Sequence, residues 1–464
     1  MLRGSERGPR ATRAVMTLAL VLGLTRFWRL GEWGLWVDEA HTLHDAMWLL
    51  PGSPPDYPLG YIAVRAMIAL CGGSTSEAVL RFFPALCGFL SIPLCAWALM
   101  PALGATRSSC AALLLSVSSW HLFWSQNARF YTLALVLSLI GGGLWLRGVL
   151  QPDRRALAGG LAAGAAAAFA HPSAALLLPG WLLAPMLVGP LGARLKARPP
   201  ALLLLGTALL GALVLGGWIA AVWKTYENVK GGTSLLHFVS TTGWYMTPGF
   251  LLGATLGAWM AWRALQAEEL LLALVVAIVC LCAGAAALFV KVAAQYVFVM
   301  LPWVAGLAVV PLARIQRPVL RTAWILLLTL PSLADTGLYF TVRHGDRPRW
   351  KEAFALVFEQ RGPEDLVFGM HAPVGEYYLN PGATWLRSQR SLLRLDETLI
   401  GAAEPWLRRG RKLWVVLAPG DLDDWSSEAR ASLLELLSTE GRKVADFPVP
   451  WTPRNMQVQV WLLG

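Results

Sequence analysis

Apolar runs of roughly 17–25 residues recur from Val15 to Phe340, the length that carries an α-helix across about 30 Å of hydrocarbon. A helix satisfies its own backbone inside lipid, so the pattern predicts an all-α polytopic membrane region and not a barrel. About eleven spans are expected, at 14–31, 79–100, 107–122, 129–147, 155–170, 173–190, 200–222, 248–263, 269–290, 295–312 and 320–340. After Phe340 the pattern changes. Helical periodicity at Trp350–Gln360 and Ser426–Thr439, and short strand-like runs at Leu366–Met370, Leu413–Leu417, Val444–Phe447 and Met456–Leu462, predict a water-soluble α/β domain. The expected division is a membrane domain over 1–340 and an extracytoplasmic α/β domain over 341–464.

The loops give an orientation. Arg107, Arg147, Arg154, Arg155, Arg194, Lys196, Arg198, Arg263, Arg314, Arg317 and Arg321 all fall on the side of the N-terminus, which the positive-inside rule assigns to the cytoplasm. Arg3, Arg7, Arg10 and Arg13 precede the first apolar run, which reads as a retained signal anchor. The opposite face receives Trp33 to Tyr57, a link near His121 to Asn127, Lys224 to Met246, a link at Lys291, and everything after Thr341. Tyr57–Cys71 is apolar but short, begins at Pro58 and carries Arg65; counting it as a span would invert every later loop, so it is expected to lie in the headgroup region. The first outer loop then runs over 31–77, with amphipathic pieces at Ala40–Leu50 and Leu59–Cys71.

Composition agrees with lipid as the main solvent: of 464 residues 56% are hydrophobic and only 14% charged. The net charge of +11 resides in short loops and not on one polar face, which argues against a nucleic-acid partner. All six cysteines lie in or beside apolar segments, so no disulfide framework is implied. There is no C-x-x-C, H-E-x-x-H, Walker-type loop or dinucleotide fingerprint beside a suitable strand, and nucleotide-driven transport has no support.

Candidate chemistry concentrates in the outer loops. The segment from Leu30 to Ala40 puts Asp38 and Glu39 just outside the first span among tryptophans. Two readings stand open: solvated loop acids with Trp anchors, or a base working at the lipid–water boundary. Arg129, at the mouth of a span, either snorkels to headgroups or holds a phosphate, and Lys291 invites the same pair of readings. His171, at another outer helix end, is structural or a ligand to a metal or hydroxyl. His41 and His44 are three apart on one amphipathic piece and share a face.

Four segments, in order, resemble those of glycosyltransferase family 39, a polytopic family of the GT-C class. Trp36-Val37-Asp38-Glu39-Ala40 is similar to its first-loop Asp-Glu motif and Tyr57-Pro58-Leu59-Gly60-Tyr61 to its His-Pro-Pro-Leu-Tyr-Tyr element. Leu80-Arg81-Phe82-Phe83-Pro84-Ala85 resembles its Leu-Arg-Leu-Pro-Ser segment, and Ser125-Gln126-Asn127-Ala128-Arg129-Phe130-Tyr131 its Ser-Gln-Glu-Ala-Arg-x-Tyr. His171-Pro172 stands where relatives show His-Tyr, and Gln295-Tyr296-Val297 to Pro302 resembles an Arg-Tyr-Leu…Pro element. The chain departs from the pattern at Asp56, near the usual His, at Asn127 for Glu and at Gln295 for Arg.

The resemblance implies an enzyme that moves a sugar from a polyprenyl-phosphate donor to an acceptor hydroxyl on a glycan, lipid or protein, at the outer side of a plasma or inner membrane. It implies Asp38 as general base in an inverting displacement, with Glu39 beside it. Arg129, Lys291 and Tyr296 would bind the donor phosphate, Lys291 replacing the charge missing at Gln295. Asp56, Tyr57, Tyr131 and His171 would bind substrate. Asp56 and His171 are also ligand types suited to a divalent ion, a point for metal analysis. The rival from another class is a lipid-linked sugar transporter or flippase without transfer chemistry, although neither inverted repeats nor mid-membrane ionisable groups stand out.

Overall fold

The computed structural model describes residues 9–47, 57–151, 153–189, 191, 234–379, 393–394, 407–452 and 455–464. Asp56 and the span expected at 200–222 lie outside the described residues. The chain divides into two compact units, each assembled from separated stretches: one from 1–28, 50–63 and 82–336, the other from 29–49, 64–81 and 337–464.

The first unit is helical. Among the described residues, five helical segments of the chain are long and apolar enough to cross a membrane: Glu77–Val117, Tyr131–Leu150, Ala267–Ala287, Ala294–Ala313 and Pro318–Thr341. Further helices run over Pro9–Gly23, Arg154–Ala170, Leu177–Leu187 and Leu235–Ala264. The spans expected at 79–100 and 107–122 meet in one long helix interrupted at Gly104, whose φ of 73° breaks the helical path. That helix stops at Val117, and Ser118, its hydroxyl accepting from the His121 N–H, starts the short Ser119–Ser125 helix. The outer loop expected over Lys224–Met246 is helical from Leu235 onward. Its break falls instead at Thr247, φ 57°, directly before Pro248, which cannot donate to the helical ladder. Ser234 and Thr241 organise the next turn: the Ser234 hydroxyl accepts from the Val292 N–H at 2.6 Å, and Thr241 from the Ala294 N–H at 3.3 Å.

Small residues let these helices approach. Tyr131–Leu150 packs along Arg154–Ala170, where a Cβ on Gly160 would lie 2.7 Å from the Trp145 nitrogen and 2.8 Å from the Gly141 oxygen. Trp145, Trp181 and Trp303 fill the neighbouring space, with Trp145 and Trp181 stacked at 5.9 Å.

The second unit holds a five-stranded mixed sheet of order β2-β1-β3-β5-β4, with β1 Leu366–Gly369, β2 Leu393–Arg394, β3 Leu413–Leu417, β4 Gly441–Phe447 and β5 Val458–Leu463. β1 is parallel to both β2 and β3, whereas β5 runs antiparallel to β3 and β4. β3 is buried along its whole length, as expected for an apolar run in a covered central strand. Trp350, Phe354 and Val357 of the Trp350–Gln360 helix and Leu433 and Leu437 of the Ser427–Thr439 helix close the core. Ala40, from the first-loop helix Val37–Met47, belongs to that same core.

Candidate functional site

Within the second unit, the acidic pair sits in the first turn of the Val37–Met47 helix. Glu39 reaches back to accept from the Trp36 N–H at 3.1 Å, capping its own helix. Its carboxylate has no exposure and receives a two-pronged bond from Arg81, Nε to Oε1 at 2.8 Å and Nη2 to Oε2 at 2.7 Å. Arg347 Nε lies 3.5 Å from the same carboxylate. Arg81 spends its remaining donors on the carbonyls of Leu30, Trp33 and Gly34, so one buried guanidinium fixes both the helix start and the preceding loop. The Arg81 of the resembling Leu-Arg segment is thus a structural clamp on the Asp-Glu motif.

Arg347 in turn donates to the Tyr339 hydroxyl and to the Gly345 carbonyl, and its guanidinium lies 5.9 Å from the Trp33 ring. Gly345 takes a φ of 65°, and a Cβ there would lie 2.6 Å from Trp33, so both backbone and space demand glycine. Trp33 is packed among Tyr339, Phe340 and His344. Burial pushes the Tyr378 phenol well above its ordinary value. The neutral hydroxyl accepts from the Leu35 N–H at 2.6 Å and donates to Glu77 at 3.3 Å, and Lys351 pairs with Glu77 at 3.0 Å. Asp38, by contrast, is half-buried on the same helix turn. The residue pattern alone treats the two carboxylates alike and only the family resemblance sets Asp38 apart; in the structure Glu39 is fully buried against arginines and Asp38 is half-buried.

Within the first unit, Arg129, Tyr57, Tyr131, His171 and Tyr296 come together. The Arg129 guanidinium lies 5.2 Å from the Tyr57 ring and 5.6 Å from Phe130. His171 stacks on Tyr57 at 5.1 Å, lies 4.2 Å from Tyr131 and 6.3 Å from Tyr296, and its Nδ1 bonds the Ser173 hydroxyl at 2.8 Å. Phe130 also meets Tyr57 at 5.2 Å, and a Cβ on Gly60 would overlap the Phe130 ring, so Gly60 is small for close approach. Lys291 is exposed, between Val290 and Val292, whose carbonyls both accept from Ser234. Gln126 does different work from its neighbour Arg129: its amide donates to the carbonyls of Thr25, Arg26 and Trp28. Arg26, buried, donates to the carbonyls of Leu115 and Ser116 and meets His121 at 2.9 Å, while His121 meets Ser91 at 2.8 Å. Neither Arg26 nor His121 carries a motif signal, because each acts by satisfying a helix end or a partner far away in the chain.

As for a metal, the described residues include no group of three or more His, Cys, Asp or Glu side chains placed to hold one, and Asp56 is outside them. His44 is engaged with Asp45 at 3.2 Å.

No family model and no curated protein matches the sequence. Solved structures do. ArnT from Cupriavidus metallidurans bound to undecaprenyl phosphate aligns at TM-score 0.55 and 13% identity over 98% of this chain and 98% of that one. The oligosaccharyltransferase AglB from Archaeoglobus fulgidus, in complex with an inhibitory peptide and a dolichol-phosphate, aligns at TM-score 0.52 and 11% identity over 93% of this chain and 72% of that one. The mycobacterial arabinofuranosyltransferase AftD aligns at 0.51 and 18% over 100% and 42% respectively. At such identities the likeness is one of fold, carried over nearly the whole chain; this multi-pass membrane protein has the GT-C fold.

Proposed function

We propose that the protein transfers a sugar from a polyprenyl-phosphate donor to an acceptor hydroxyl at the outer membrane surface. The observation that carries this reading is the gathering of Arg129, Tyr57, Tyr131, His171 and Tyr296 in one cluster, within a fold shared with ArnT, which was solved bound to undecaprenyl phosphate. An arginine held over a tyrosine face is a pre-oriented fork for a phosphate. Lys291 supplies a second positive charge to the donor.

In the reaction, the acceptor oxygen attacks the anomeric carbon while its proton passes to the Asp38 carboxylate. The new carbon–oxygen bond forms as the bond to the phosphate oxygen breaks, and the lipid phosphate leaves with the electron pair, inverting the anomeric centre. Arg129 stabilises the charge that develops on it. Asp38 is the base of this pair because it retains access to solvent, whereas Glu39 is consumed by Arg81 and Arg347.

The test is turnover of a radiolabelled polyprenyl-phosphate sugar by purified protein in lipid. Asp38→Asn is expected to lower transfer by about 10²–10⁴-fold with unchanged thermal unfolding, the loss typical of removing a general base. Near-normal turnover in that variant would refute the assignment. Translocation of the labelled donor with no transfer or hydrolysis would instead point to the flippase.

A further inference from the structure

The parallel part of the sheet in the second unit contains a feature that the transfer chemistry above does not use. The chain leaves β1 toward β2 on one side and then returns to β3 on the other, giving the order β2-β1-β3. In open α/β sheets the crevice beyond the carboxyl ends of the strands, where the order reverses, is where ligands bind. Here that crevice lies between the ends of β1 and β3. His371 comes two residues after β1, and Asp421 follows β3 in the turn Pro419–Asp424. Their side chains bridge the switch point, His371 Nε2 to Asp421 Oδ2 at 2.8 Å, and both keep access to solvent, at 23% and 46% exposed. The Trp350 ring, fully buried, meets the His371 ring edge-on at 5.5 Å and fixes its plane.

A second, independent observation ties this crevice to the acidic pair. The Val37–Met47 helix packs on the Ala372–Leu379 helix that starts beside His371, and its Ala40 lies in the sheet's own core. The switch point and the candidate base therefore share one neighbourhood inside this unit.

On these grounds, and resting on the reading of the protein as a glycosyltransferase, we infer that the crevice at the carboxyl ends of β1 and β3 is an acceptor subsite that binds saccharide hydroxyls through His371 and Asp421. The chemistry selects that class. A carboxylate accepts from one hydroxyl while an imidazole at the same point serves a neighbouring one, a two-point recognition suited to a polyol.

The test is saturation-transfer NMR on the full-length protein in detergent, with free mannose, galactose, glucose and N-acetylglucosamine as probes at millimolar concentration. At least one is expected to give a saturable signal, with its affinity weakened at least tenfold in both His371→Ala and Asp421→Asn. If His371→Ala fails to fold, the shape-conserving Asp421→Asn decides alone. No saturable signal from any of the four sugars, or wild-type affinity in a folded Asp421→Asn protein, overturns the subsite. The transfer assay on Asp38→Asn fails or succeeds separately, so loss of the subsite and loss of the glycosyltransferase reading are told apart.

Discussion

Glu39 has no exposed surface and meets two guanidinium groups, Arg81 in a fork and Arg347 at 3.5 Å. Removing one partner of such a buried pair strands the other charges without water, a change that costs about 3–5 kcal/mol. Glu39→Ala is therefore expected to lower the thermal unfolding midpoint of the purified protein markedly. Asp38→Asn, one residue away, leaves it in place. If both variants unfold alike, the division of labour between the two carboxylates is wrong. The family resemblance singles out Asp38, but the commitment of Glu39 to arginines is not legible in the spacing of the residues. Asp38 and Glu39 stand side by side in an acidic pair, and the arginine that claims Glu39 lies 42 residues on, with a second in the segment after the last membrane helix. The cluster around Arg129 is a different case. Arg129, Tyr57, Tyr131, His171 and Tyr296 each stand in a short segment resembling a family motif, so the resemblance implies binding roles for all five, whereas their spacing alone does not bring them together. Arg26 and His121, which stitch helix ends to one another, carry no such signal.

Some elements are legible to the residue, whereas the strands expected at Val444–Phe447 and Met456–Leu462 run over Gly441–Phe447 and Val458–Leu463. Trp350–Gln360 and Leu413–Leu417 form where the pattern places them, one an amphipathic helix and the other a wholly buried strand. The polar-looking stretch before Pro248 misleads, because Leu235–Met246 is helical despite its hydroxyl and His side chains. The Thr241 hydroxyl returns to the His237 carbonyl, so its polarity is satisfied inside the helix. Small-residue contacts make a sharper element-scale prediction. A Cβ added to Gly160 would lie 2.7 and 2.8 Å from backbone atoms of the Tyr131–Leu150 helix, where no flexible side chain can give way. Gly160→Leu should force the two helices apart at a cost of about 1–3 kcal/mol, read as a lower unfolding midpoint in detergent. An unchanged midpoint would mean that this helix pair is not close-packed as described.

At the scale of the molecule, the loops rich in Arg and Lys set an orientation that we propose for the membrane-embedded protein: N-terminus and basic loops in the cytoplasm, Asp38 and the α/β sheet outside. A pair of reporter fusions at Arg154, one active only in the cytoplasm and one active only outside, measures this directly. The cytoplasmic reporter is expected to be active and the exported one silent; the reverse result would put the acidic pair on the wrong face for the proposed reaction.

One of the two compact units is made from stretches 29–49, 64–81 and 337–464, so Glu39 meets Arg81 early, whereas Arg347 and the core that takes in Ala40 are synthesised some 300 residues later. At a synthesis rate of about 5–20 residues per second, the early hairpin of chain waits on the order of 20–80 s before the sheet that covers it exists. During that interval the nascent protein must shelter an unfinished core at the membrane surface. Its biogenesis should therefore depend on a holding factor at the insertion machinery to a degree that a protein folded strictly in chain order would not.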